Sequence, residues 1–278
     1  MKTLSISKAW DEASAFLGRE MRLVMPVALA AFVIPSTVIQ WIEPRGALEP
    51  STDPATSFLL FLLALLITII GQLTITALAI GWRGSVGEAM ALGFRRVWGV
   101  VVALLLVFLP FVTAAAVAAG TAMISAGLTD PATLTAEAVA ESQEVLTVLF
   151  LMSLAVIALW AKLFPMSGVA VSEGAAPFKL LARSWSLSKG HFWRLVATVL
   201  LLLIASTVLS AAVTYAGSPM VTLAFGQLEP FSSSALLVAL LSGLASAAVS
   251  IVGATLVGRI YVQLAAPTAT VPEVGREL

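Results

Sequence analysis

Six long stretches of the chain carry almost no charge. Residues 23–42, 55–82, 97–129, 145–172, 195–228 and 230–258 are runs of apolar and small side chains, and only Lys162 in the fourth is ionisable. A helix rises about 1.5 Å per residue, so about 20 such residues cross a hydrocarbon layer of about 30 Å. Strands of a membrane β-barrel would alternate polar and apolar positions in segments of about 10, which these do not. The pattern predicts an all-α, polytopic membrane protein with six transmembrane helices. Ala28-Leu29-Ala30 has the look of a leader-cleavage site, but Asp11, Glu12 and Glu20 precede it and the apolar run continues to Ile42. The expectation is a retained first span.

Polar connections before the odd-numbered spans have a second, shorter period. Residues 4–19 place Ile6, Trp10, Ala13 and Leu17 at spacings of 3 and 4. Residues 85–96 do the same with Val86, Met90, Phe94 and the following Val97, and residues 177–189 with Phe178, Leu181 and Trp185. That spacing predicts three amphipathic helices lying on one membrane surface. Each leads through a basic and aromatic junction into a span: Gly18-Arg19-Glu20-Met21-Arg22, Phe94-Arg95-Arg96-Val97-Trp98 and Gly190-His191-Phe192-Trp193-Arg194. The expected unit is a surface helix plus two spans, used three times in a pseudo-threefold repeat. Its units cover about 1–82, 83–174 and 175–266 of one integral membrane domain, with a short tail at 267–278.

Composition sharpens this picture. Only 11% of the 278 residues are charged, 60% are apolar, and mean hydropathy is +1.04. A soluble domain carries about 25% charge. An ordinary soluble enzyme, a nucleic-acid binder and a disordered chain are therefore excluded. The net charge of zero conceals a segregation. With six spans, every Lys and Arg except Arg45 falls on one side, whereas eight of the fifteen acidic residues fall on the other. The faces come out near +7 and −7. By the positive-inside rule both termini are expected in the cytoplasm. Trp41, Trp82, Trp98, Trp193, Tyr215 and Tyr261 fall near predicted span ends, where amphipathic rings prefer the headgroup layer.

Candidate chemistry is sparse. The chain has no cysteine and one histidine, His191, so thiolate sites and His-based relays are not expected. Nothing implies a metal or a cofactor. Lys162 lies about 17 residues into its span, roughly 26 Å, where a lysine can snorkel to the inner surface. The competing reading is an ion pair, with Glu173 as partner. Arg259 is expected to anchor the inner edge in the same way. Gln72, near the middle of the second span, suits a hydrogen bond to a neighbouring helix. Rows of small residues (Ser242, Ser246, Ser250, Ala254 and Gly258; Ala235, Ala239, Gly243 and Ala247; Ala114, Ala118, Ala122 and Ala126) suit close packing or a homodimer face. Pro26, Pro35, Pro110 and Pro165 are expected to kink the spans. Arg95, Arg96, Lys179, Arg183, Lys189, His191 and Arg194 are the candidates for lipid headgroups, and juxtamembrane anchoring accounts for the same residues.

The stretch RSWSLSKGHFWRL at 183–195 resembles the basic-aromatic junction of the glycerophosphoryl diester phosphodiesterase membrane-domain family and of the YciC-type bacterial inner-membrane proteins. The stretches LSISKAWDEASAFLGRE at 4–20 and GRIYVQL at 258–264 resemble theirs as well. The resemblance implies a helical membrane bundle and carries no catalytic residue to this chain. A phosphodiesterase domain would need histidine and clustered carboxylates. The expected function is therefore non-catalytic: lipid handling or the organisation of membrane proteins, with anionic lipid as partner and a homodimer or another membrane protein as further partners. A small transporter or channel is the alternative, with a polar path drawn from Thr68, Gln72, Thr76, Lys162, Ser206, Ser210 and Thr214. A membrane-embedded enzyme of lipid metabolism is the second alternative, and it would rest on Glu88 and Glu173.

Overall fold

The computed structural model describes residues 4–44, 52–128 and 136–265. Lys2, Arg45, Asp130, Arg276 and the 267–278 tail lie outside the described residues. Every regular element among the described residues is helical. Six helices are long and apolar enough to cross a membrane, which marks the chain as a multi-pass membrane protein. Helix α1 (Ile6–Ala28) runs through a five-residue π turn into α2 (Ile34–Ile42). Next come α3 (Pro54–Ile80), α4 (Val86–Ser125), the short α5 (Ala136–Glu141) and α6 (Gln143–Leu163). Helix α7 (Met166–Ser172) follows a break at Pro165, and α8 (Pro177–Ser188) stands apart from the spans. Helix α9 (Phe192–Ala212) passes through a second π turn into α10 (Ser218–Phe225), and α11 (Ser233–Ala265) is the last.

Local chemistry sets these limits. Ser5, Asp53, Ser85 and Ser142 cap helix N-termini with their side chains, and Ser85 with Glu88 forms a reciprocal capping box. The two π turns, Leu29–Val33 and Val213–Gly217, end two residues before Pro35 and Pro219. A proline lacks the N–H and crowds the carbonyl four residues back, and a wider turn absorbs both defects without breaking the helix.

Two of the three expected surface helices are not separate. Residues 4–19 belong to the 37-residue helical run Ile6–Ile42, and residues 85–96 open the 40-residue α4. Nothing between them and the spans breaks a helix, so α4 extends about 60 Å, twice the hydrocarbon thickness. Only the third is detached, because Gly190 takes a left-handed turn (φ 81°) between α8 and α9.

The faces buried against other helices are lined mostly by small side chains. Helix α1 buries Ala9, Ala13 and Phe16, α4 buries Ala89, Gly93 and Val97, and α8 buries Leu180, Ser184 and Ser188. The large residues of the expected apolar stripes point away from the protein: Trp10, Met90, Phe94, Phe178 and Trp185 are all exposed. Small side chains allow helices to touch, while large apolar ones lose nothing by facing a medium as apolar as themselves.

The contacts are made at glycines. A Cβ on Gly71 of α3 would sit 2.2 Å from the Ala31 Cβ in the first span. One on Gly243 would sit 2.8 Å from the Thr37 hydroxyl, one on Gly258 2.9 Å from Ala79, one on Gly93 2.9 Å from the Ile70 carbonyl, and one on Gly168 2.5 Å from Tyr261. These crossings join the first span, α3, α4, α7 and α11. The row Ala235, Ala239, Gly243 and Ala247 is thus a buried seam, with Ala235, Ala239 and Ala247 nearly inaccessible. Thr68, Thr76 and Thr37 donate across neighbouring seams to the carbonyls of Ala31, Ala254 and Ala239.

Packing is confined largely to one half of the bundle. Buried residues of α3 begin at Ile69, those of α4 lie between Ala89 and Ala103 apart from Ala122, and α9 buries only Leu195 and Thr198. In the other half, α6 packs on α4 and α9, while α7 is the segment that packs on α3 and α11. Residues 153–155 of α6 and 207–210 of α9 are all exposed. At 100° per residue, four consecutive exposed positions sweep most of a helix circumference, so α9 is open there on nearly all sides. The packed end is closed by Arg194, which donates to the Leu4 carbonyl, and by the Ser5 amide on Gln263. At the opposite end the Trp41 indole donates to the Ser232 carbonyl (3.1 Å) and meets Phe231 edge-on. There the Ser57 and Thr52 hydroxyls also hold the Glu43 carboxyl below its ordinary pKa.

Gly71→Ala is expected to cost about 1–3 kcal/mol, because the added methyl meets backbone-anchored atoms that cannot move aside. Gly120→Ala, where a Cβ meets nothing within 4 Å, is expected to be neutral or stabilising by up to about 1 kcal/mol. Unfolding by SDS titration in mixed micelles measures both, and equal effects would refute the close-approach account.

Candidate functional site at the basic end

The sequence-predicted polar residues converge on the turn between α7 and α8. Helix α7 ends at Ser172, Gly174 takes a left-handed conformation (φ 59°), and Pro177 opens α8 at its first position. Arg96 reaches this turn from α4 and donates to the Gly174 carbonyl at 3.0 Å. Its guanidinium packs so closely that a Cβ on Gly174 would lie 2.2 Å from Nη2. Its Nε is buried without a hydrogen-bond partner.

Glu173 is the hub. Arg183 Nε donates to both carboxylate oxygens, at 3.0 and 3.2 Å, and the Tyr261 hydroxyl donates to Oε1 at 3.1 Å. The ion pair is about one-third exposed on each side, 32% and 33%. Tyr261, expected among the interfacial aromatics, is instead buried. It ties the end of α11 to the turn.

The competing reading of Lys162, an ion pair with Glu173, is not what the structure shows, since Glu173 pairs with Arg183. Lys162 Nζ lies 5.1 Å from the Phe192 ring centroid and 6.0 Å from that of Trp185. Both distances are within cation–π range. The Lys162 carbonyl accepts hydrogen bonds from Ser184 (2.8 Å) and Ser188 (3.0 Å), whose side chains are fully buried. Arg183, one chain reversal away from Glu173, takes the carboxylate because the turn at Gly174 folds α8 back on α7.

The remaining candidates divide by exposure. Arg95, Lys179 and Lys189 are exposed, and His191 is half-buried. Arg194 is held by the Leu4 carbonyl. The Arg259 guanidinium sits 5.4 Å from the Phe16 ring centroid, and its Nε is buried without a partner. Gln72 is half-buried, and among the described residues it makes no hydrogen bond to a neighbouring helix. Thr68 and Thr76, one turn either side, make those bonds instead. Sequence reasoning passed over Ser184, Ser188 and the turn at Gly174. The four-residue serine spacing and the Gly-Ala-Ala-Pro run at 174–177 are the signals that could have found them.

Beside the turn lies an open groove of about 680 Å³. Its lining includes Glu173, Lys179, Ala182, Arg183 and Ser186. Lys179, Ala182, Arg183 and Ser186 recur at helical spacing along one face of α8. Chemically the groove offers two side-chain cations, a hydroxyl and one carboxylate that already has partners.

Replacing Glu173 and Arg183 by Ala, singly and together, is expected to give a coupling energy of about 0.2–1 kcal/mol, the range of partly exposed ion pairs. An SDS-unfolding double-mutant cycle measures it, and strictly additive losses would show that the pair contributes nothing. No protein-family model, curated protein or solved structure matches this chain.

Proposed function

We propose that this chain is a non-catalytic bacterial inner-membrane protein that handles lipid or organises membrane proteins, engaging anionic lipid at its basic end. The observation that carries this reading is the contrast between the two halves of the bundle. One half is packed and edged with cations; the other is open and lined by apolar side chains. Exposed Trp98, Phe178 and Trp193 beside exposed Arg95, Lys179 and Lys189 supply the mixed apolar and basic surface that a headgroup layer attracts. Resemblance of the 183–195 junction to the membrane-domain family named above is in keeping with it, as is a three-unit repeat built on the junctions at Arg19–Arg22, Arg95–Trp98 and His191–Arg194.

A polar transport path has less behind it. Two of its candidate residues, Thr68 and Thr76, donate their hydroxyl protons to the carbonyls of Ala31 and Ala254 in neighbouring helices. The enzyme reading is weakened because Glu88 closes a helix cap and Glu173 holds Arg183 and Tyr261.

In nanodiscs, replacing phosphatidylcholine by phosphatidylglycerol is expected to raise the thermal midpoint by several degrees, since a ligand bound only by the folded state stabilises it. Equal midpoints in the two lipids would remove the lipid part of the proposal. Orientation has its own test, helped by the absence of native cysteine. Asp53→Cys is expected to react with an impermeant maleimide in cells with a permeabilised outer membrane. Lys8→Cys should react only after the inner membrane is lysed, and the reverse pattern would invert the topology.

A further inference from the structure

We infer that the groove beside the α7–α8 turn is a discrete site for the phosphate headgroup of an anionic lipid. This deepens the lipid-handling reading and rests on it. A volume of about 680 Å³ suits a glycerophosphate headgroup. The side chains around it are unbalanced in charge. Lys179 and Arg183 line the groove and the Arg96 guanidinium packs against Gly174 in its wall, whereas Glu173 is the one carboxylate in the lining. Arg183 and Tyr261 already donate to that carboxylate. A zwitterionic headgroup would bring a cation of its own beside Lys179 and Arg183, and the one carboxylate in the lining, Glu173, is already engaged by Arg183 and Tyr261. A phosphate diester without an amine needs donors alone, and the exposed Lys179 ammonium supplies them beside the positive charge of Arg183, while the Ser186 hydroxyl already donates to the Arg183 carbonyl.

Backbone geometry adds to the side chains. Helix α8 begins at Pro177 with no side-chain cap, because Ala176 precedes it. Its first-turn amides and dipole face the turn that forms the groove wall. The source of the phosphate is also marked. Phe178 (71% exposed) and Trp185 (40% exposed) form the adjoining strip of α8. Acyl chains attached to a headgroup in the groove would run along these rings, whereas a soluble phosphate would make no use of them.

The experiment uses the full chain in detergent and measures binding of dihexanoyl phosphatidylglycerol by calorimetry. Dihexanoyl phosphatidylcholine and sn-glycerol 3-phosphate are the comparison ligands. Lys179→Glu, Ala182→Trp and Lys8→Glu are the variants. Lys179→Glu reverses a groove cation, and Ala182→Trp fills the groove without changing charge. Lys8→Glu alters an exposed cation outside the groove, on α1.

Wild type is expected to prefer the glycerol lipid over both comparison ligands. Lys179→Glu and Ala182→Trp should each weaken binding at least tenfold, and Lys8→Glu less than twofold. If Ala182→Trp binds like wild type, or Lys8→Glu costs as much as Lys179→Glu, the lipid is attracted by diffuse surface charge. The discrete site is then overturned while the lipid-handling proposal stands. If glycerol 3-phosphate binds as tightly as the lipid, a soluble phosphate is the ligand and the lipid assignment is overturned. If wild type does not distinguish the two lipids, the site and the broader reading fall together.

Discussion

Gly71, Gly93, Gly168, Gly243 and Gly258 mark the points where helix backbones come within reach of one another, and the rest of the molecule is positioned by those crossings. Between apolar helices in an apolar medium no hydrophobic force operates, and association depends on short-range dispersion and a few interhelix hydrogen bonds. Dispersion decays within an ångström or two of contact, so a seam holds only where both surfaces are small. The dependence can be followed to the candidate site. Gly168 admits Tyr261, and that contact seats α7 between α3 and α11. The position of α7 fixes Glu173 under the Tyr261 hydroxyl and Gly174 under Arg96. Helix α8 then folds back and delivers Arg183 to the carboxylate.

The same constraint accounts for what the bundle leaves open. Where the helices lack matching small residues, as over much of α6, α9 and α10, few side chains are buried. Their large side chains remain exposed. Helix α4 has its alanine row at 114, 118, 122 and 126, but only Ala122 is buried. A small-residue row is necessary for a seam but not sufficient, because the facing helix must present one as well. Helix α11 meets that condition along Ala235, Ala239 and Gly243, since the first span offers Ser36 and Thr37 opposite.

Legibility in the sequence followed the strength of the physical penalty. Charge inside hydrocarbon is costly, so the six uncharged runs coincide with the six long helices to within a few residues at most boundaries. Helix continuity carried no comparable signal. Gly18 sits inside α1 and Gly190 breaks the chain before α9, although both precede basic residues and look alike in sequence. The faces buried against other helices left a different trace in the sequence. Ile6, Trp10, Met90, Phe94, Phe178 and Trp185 form the apolar stripes that water would bury. These helices bury alanine, glycine and serine instead, because the medium does not penalise exposed rings. Of the two readings of Lys162, the ion pair with Glu173 lost its partner to Arg183, because eleven residues of chain proximity counted for less than the reversal at Gly174.

Charge asymmetry has a structural share that counting alone conceals. Arg96 donates to the Gly174 carbonyl and Arg194 to the Leu4 carbonyl, while Arg183 is held by Glu173. These arginines satisfy chain reversals and helix ends, where backbone carbonyls lack partners. The planar guanidinium suits that task, since one group can bind a carbonyl and still pack flat against a turn. Lysines behave differently. Lys179 and Lys189 are exposed, and Lys162 places its ammonium near two rings while its own carbonyl serves Ser184 and Ser188. A cation held by the backbone has less freedom to meet an external anion, whereas an exposed ammonium on a flexible stem keeps its donors available. The surplus of positive charge at this end is therefore two populations with different tasks. The part able to act on a partner is smaller than the net charge of that face suggests, and it is spread over α8, where Lys179 is exposed, and over Arg22, Arg83 and Arg95, which are exposed elsewhere on that end.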